Sequence, residues 1–178
     1  SNIDIGSADR IEVLRGPFSA LYGNSSGGVL QVFTEDGAGP PKLNLSLAGG
    51  SFGTGRTGFK LSGGTDQMGY VISASRFHTD GWRAHSAADR DLFNAKFHFN
   101  LGGGSRLTLV ANHVNIRAQD PLGLSAEQLA DNPRGAALAQ QFNTRKSVDQ
   151  SQLGLRYEIP INADHQLQLM AYGGQRRT

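Results

Sequence analysis

Cysteine is absent from this chain, which fits several compartments and decides among none of them. No stretch of about eighteen or more apolar residues occurs, and this excludes a transmembrane helix. A transmembrane β-barrel stays open, because its strands need only about 10 residues each, apolar at alternate positions. Such strands keep the overall hydrophobic share low, here 38%. The net charge of +2 is small and evenly spread, so nucleic acid is not expected as a partner. The histidines (His78, His85, His98, His113, His165) show no H-x-x-x-H or similar spacing, which leaves a metal site without support. Serine and aspartate are plentiful, yet no strained elbow or spaced triad accompanies them, and no enzyme is expected. A charged-then-apolar signal segment is also missing. The chain opens inside patterned sequence, so Ser1 is expected to be a boundary within a longer protein.

Glycine and alternation are what the sequence does have. Residues Ile11 to Leu14 read as a short strand broken by Arg15-Gly16-Pro17. Ser19 to Gly23 suits a single helical turn closed by glycine. The cluster from Asn24 to Gly28 is a turn, and Val29 to Thr34 is a second strand. Gly37-Ala38-Gly39-Pro40-Pro41 reads as a linker, since paired prolines cannot join a central strand.

After Pro41 a period of two takes over. Leu43, Leu45 and Leu47 alternate with Asn44 and Ser46; Phe59 and Leu61 alternate with Lys60 and Ser62. Tyr70, Ile72 and Ala74 form another row, and Phe93, Ala95, Phe97, Phe99 and Leu101 alternate with Asn94, Lys96, His98 and Asn100. Leu107 to Ala111, Leu153 to Ile159 and Leu167 to Ala171 continue it. About seven such segments imply strands throughout. The tight turns at Gly64–Gln67, Gly102–Ser105 and Pro160–Asp164 alternate with long polar connections at about 79–91 and 117–147. Short turns on one rim and long loops on the other are the layout of an outer-membrane barrel. Within the longest loop, Ser125 and Gln128 have capping-box spacing, and Asn132-Pro133 suits a helix start ahead of Ala136 to Phe142.

The run Arg10-Ile11-Glu12-Val13-Leu14-Arg15-Gly16-Pro17-Phe18-Ser19-Ala20-Leu21-Tyr22-Gly23, followed by Gly27-Gly28-Val29-Leu30-Gln31-Val32-Phe33-Thr34, resembles the signature near the plug end of TonB-dependent outer-membrane receptors. Leu30, Gln31 and Val32 stand where the family usually has Ile, Asn and Ile, which preserves strand character. Gly49 to Thr54 resembles the first outer hairpin of siderophore-type members. Asp120 to Leu124 with Ala130 to Pro133 resembles their third loop more loosely. The resemblance implies an all-β fold, part of an antiparallel transmembrane β-barrel of roughly 22 strands, preceded by the C-terminal part of a plug domain. On that reading residues 1–36 end the plug, 37–41 link it, and 42–178 supply the first strands of the barrel. Its location would be the outer membrane of a Gram-negative bacterium, with outer-membrane lipid around it. The inner-membrane TonB-type energy-coupling complex would be its partner, through a segment outside this sequence. No resident cofactor is implied.

The resemblance also marks candidate residues. Arg10, Glu12 and Arg15 lie on a strand that the family packs inside the barrel, where charges pair with the wall and latch the plug. Lys96, Arg156 and Glu158 are possible partners, and an ordinary solvated strand edge is the alternative. Gly16, Gly23, Gly27 and Gly28, with Pro17 and Tyr22, complete the signature, the glycines serving as backbone devices. His78, Trp82, Arg83 and His85, with Arg117 and Gln119, are candidate ligand-loop residues, because a cationic, aromatic loop suits an anionic chelate. The alternative for them is an amphipathic membrane rim. Gly53-Thr54-Gly55-Arg56-Thr57-Gly58 matches the dinucleotide fingerprint in letters, but the alternating sequence after it is a strand and not the helix that motif needs. The function expected is active import of a ferric siderophore or ferric citrate. The same architecture could carry cobalamin, copper, haem or a glycan; a passive porin-like or adhesive barrel and a soluble β-sandwich are the other classes.

Overall fold

The structure, a computed structural model, describes residues 7–16 and 27–178. Two antiparallel sheets account for the strands: a hairpin of β1 (Ala8–Arg15) with β2 (Gly28–Thr34), and a seven-stranded meander. The meander runs β3 (Lys42–Gly49), β4 (Gly55–Gly64), β5 (Met68–Thr79), β6 (Ala88–Asn100), β7 (Arg106–Gln119), β8 (Arg145–Pro160) and β9 (Gln166–Arg177), each strand beside its sequence neighbour. No crossover occurs among them. That is what consecutive alternating segments joined by turns predict.

Strand register separates two faces. Lys96 reaches toward the hairpin, donating to the Thr34 carbonyl at 2.9 Å, so its face of the sheet is the one facing β1–β2. Asn94, His98, Arg156 and Glu158 share that face by alternation and pairing. The opposite face carries Phe93, Phe97, Phe99, Leu153, Leu155 and Leu167, in rows such as Phe97–Leu109–Leu155–Ala171. Leu45, Leu47 and Leu153 on it are 74%, 85% and 69% exposed. An uncovered apolar face this wide is a liability in water. It has the pattern of the lipid-facing band of a membrane barrel. Buried apolar residues are sparse and central: Val71, Leu92, Ala95, Val114 and Val148 lie on β5 to β8, while β3 and β9 are the exposed edges.

The three tight turns fall on one rim and the 50–54, 80–87 and 120–144 connections on the other. Strands β7 and β8 run further than the sequence pattern suggests, to Gln119 and from Arg145, because main-chain pairing continues past the last apolar residue. Inside the long connection, α1 (Ala126–Asp131) has the expected capping box, Ser125 accepting from the Gln128 N–H. Asn132-Pro133, however, does not begin the next helix. Asn132 terminates α1, its side chain accepts from the Arg134 N–H in a local turn, and α2 (Ala137–Phe142) starts from Ala136 instead. Asparagine's side chain serves a turn as readily as a helix cap. The helical turn expected over Ser19 to Gly23 lies outside the described residues.

Candidate functional site

Two places gather charged side chains, one at each end of the sheet. The first is the junction between the hairpin and the wall. Beyond β2, Glu35 pairs with Lys60, and Asp36 lies 2.6 Å from both Lys96 Nζ and Arg106 Nη2. Lys60, Lys96 and Arg106 come from β4, β6 and β7 and meet here because each occupies the hairpin-facing register. Burial alone would raise the Asp36 carboxyl, but hydrogen bonds from Lys96 and Arg106 outweigh it and hold the group below the usual carboxylate range. The linker follows the wall closely: a Cβ at Gly37 would sit 2.0 Å from the Tyr70 carbonyl oxygen, so only glycine fits. The Gly64 N–H donates to the Gly39 carbonyl at 2.9 Å.

Arg10 and Glu12 pair with each other at 2.7 Å on one exposed face of β1, and Arg10 stacks over the Phe33 ring. Arg15 has no ion-pair partner among the described residues, and Arg156 pairs with its neighbour Glu158 at 3.3 Å. The wall contacts are made by Glu35 and Asp36, which sequence reasoning passed over. Their signal was there: two adjacent acids at a strand end, followed by a linker and faced by inward cations. Gly16 and Gly28 do have left-handed-region φ values, 120° and 141°, and a Cβ at Gly28 would lie 2.6 Å from the Leu14 carbonyl oxygen. Among the described residues, none apart from its chain neighbours lies within 4 Å of a Cβ placed at Gly27. Pro17, Tyr22 and Gly23 lie outside the described residues.

The second place is the rim with the long connections. Of the six candidate ligand-loop residues, three act as fasteners. The Arg83 guanidinium donates to the carbonyls of Leu122 at 2.6 Å, Pro121 at 3.2 Å and Gly135 at 2.6 Å. His85 Nε2 lies 2.8 Å from the Thr144 carbonyl, so this nitrogen carries the proton. Gln119 accepts from the Ala87 N–H at 3.2 Å. His78 sits between two carboxylates, 2.8 Å from Asp89 and 3.4 Å from Asp80. Arg117 stands opposite Asp89 in the β6–β7 register. Trp82 stays about half exposed with the Arg134 guanidinium 5.7 Å from its ring, and the same guanidinium is 5.6 Å from Phe52. Among the described residues no group of His, Cys, Asp and Glu is arranged to hold a metal ion. The Gly53–Gly58 run turns into β4, a strand and not a helix, so no helix N-terminus faces a phosphate there.

No protein-family model matches the chain. A vitamin B12 transporter, BtuB of Photobacterium profundum, is 35% identical over 86 residues, which is 47% of this chain and 14% of that protein. The open-form crystal structure of Fiu, the ferric-catecholate import receptor of E. coli K12, superposes with a TM-score of 0.73 at 18% identity, covering 96% of this chain and 29% of that one. The chain is thus similar in sequence to part of one outer-membrane transporter and similar in fold to part of another. The seven-stranded antiparallel sheet matches part of the barrel in that structure. The matches cover less than a third of either relative, 14% and 29% of their lengths.

Proposed function

We propose that the receptor containing this chain imports a ferric siderophore or ferric citrate across the outer membrane, energised by an inner-membrane TonB-type complex. On this reading residues 1–36 end the plug, 37–41 form the linker, and 42–178 begin the wall. The observation that carries it is the position of the signature-bearing hairpin: it lies on the polar face of a barrel-type sheet and is held there by Asp36 between Lys96 and Arg106. A plug must be fixed to a polar lumen in this way, and an open porin needs no such contact. His78, Trp82 and Arg117 are proposed to meet the chelate at the rim. Arg83, His85 and Gln119 support them from behind.

Cobalamin is the second reading, favoured by the sequence match to a vitamin B12 transporter. Uptake by a receptor-deficient strain expressing the full-length receptor separates the two. Radiolabelled ferric siderophores and ferric citrate should accumulate only when the energy-coupling complex is intact. Accumulation of labelled cyanocobalamin and of no iron chelate would overturn the iron reading. Uptake independent of energy coupling would overturn active import altogether.

A further inference from the structure

The three long-rim connections are tied to one another by main-chain and side-chain hydrogen bonds. Connection 80–87 touches 120–144 at its beginning, middle and end. Arg83 takes the Pro121 and Leu122 carbonyls at the beginning and Gly135 in the middle. The Ala84 N–H donates to the Arg134 carbonyl at 2.9 Å, and His85 holds Thr144 at the end. The first connection joins through the Asp80 N–H to the Phe52 carbonyl at 2.9 Å and through Thr54 to Thr79 at 2.8 Å. Arg134, over both Phe52 and Trp82, belongs to the third connection and stacks on the other two. Beneath them Ala136 and Ala139 are 3% and 1% exposed, as buried as any apolar residue of the sheet.

We infer that the outer connections of this segment form a single preorganised cap, with Arg83 as its positioning residue, and that they open as one body and not as separate lids. The chemistry of Arg83 explains why. A connection as long as 120–144 would ordinarily be mobile. One guanidinium presents a rigid fork of donors that satisfies carbonyls from two distant points of it at once. Lysine, a compact charge on a flexible stem, cannot hold both points. Ser86 fixes the arginine itself, its Oγ accepting from the Arg83 N–H at 3.2 Å and donating to the Arg83 carbonyl at 2.6 Å. Opening then means that Arg83 leaves its carbonyls together, after which Arg134 loses its place against Trp82.

Amide hydrogen exchange on the full-length receptor in detergent tests this without any ligand and independently of what the receptor carries. In the wild type, the Ala84, Asp120 and Thr144 amides should exchange at a common rate. In Arg83→Ala they should speed up together by roughly tenfold or more, as expected for losing hydrogen bonds from a charged donor, while β5 to β8 keep their protection. Arg83→Lys should resemble Arg83→Ala. The inference fails if the wild-type amides exchange at unrelated rates, if Arg83→Ala affects only its immediate neighbours, or if Arg83→Lys restores full protection. Should Arg83→Ala also lose strand protection, Arg134→Gln serves as the second variant. It should loosen 50–54 relative to the other two connections, and no change there would equally overturn the single cap.

Discussion

The two ends of this sheet fasten their neighbours by different physics. At the hairpin junction, charge meets charge: Glu35 and Asp36 against Lys60, Lys96 and Arg106. At the long-rim end, one charge meets neutral backbone: Arg83 against carbonyl oxygens, with buried alanines beneath. An ion pair depends on protonation and on screening by salt. A guanidinium on carbonyls does not depend on protonation within any ordinary pH range, since the arginine stays charged and the carbonyl does not titrate. On the proposed reading, the difference suits a plug held reversibly at one end and a preorganised cap at the other.

Both fastenings depend on which face of the sheet meets lipid. Leu153→Arg places a charge mid-band on the face opposite Lys96 and should cost about 2–4 kcal/mol in a folding titration into bilayers. A neutral result would reverse the assignment of faces. Next in size is the packing under the cap. Ala139→Phe has no room and should destabilise the connection by about 1–3 kcal/mol, read as faster proteolysis within 120–144 and unchanged strand protection. Resistance equal to wild type would show that carbonyl bonding alone holds the cap.

Asp36→Ala comes third. It leaves Lys96 and Arg106 facing each other without their shared carboxylate and should loosen the hairpin by on the order of 1–2 kcal/mol. In the full receptor, single-channel recordings should then show more frequent leak openings. A closed, silent channel would mean that other contacts suffice. Acid gives the same answer without mutation. Because the folded-state Asp36 titrates low, its contribution is present above the ordinary carboxylate range and is lost as pH falls through the lowered value. Hairpin exchange should therefore rise only in strong acid, with the cap unaffected; loosening already near neutrality would contradict the ion-pair account. The smallest effect belongs to Lys60→Gln, a partly exposed pair worth about 0–1 kcal/mol and sensitive to salt. A loss well above that range would make Glu35, and not Asp36, the principal clasp.

The sequence by itself determined the strands and their order. Period-two rows from Leu43 to Ala171, punctuated by Gly, Pro and Asn, leave little freedom beyond a meander, because strand register is bound to the hydrophobic face. Ser125 with Gln128 likewise announced α1, since a capping box is a local device. Side-chain partnership across strands was another matter. Arg83 and His85 look like ligand residues in a linear reading, because a cationic, aromatic run says nothing of which carbonyls lie 38 or 52 positions away. Asp36 looks like part of a linker until register brings Lys96 and Arg106 to the same face, and Arg10 turns to Glu12 because two residues along a strand is the nearest same-face distance. Local pattern encodes the backbone, since hydrogen bonding and alternation act between near neighbours. Only the folded sheet, which stacks distant positions side by side, decides what each charge is for.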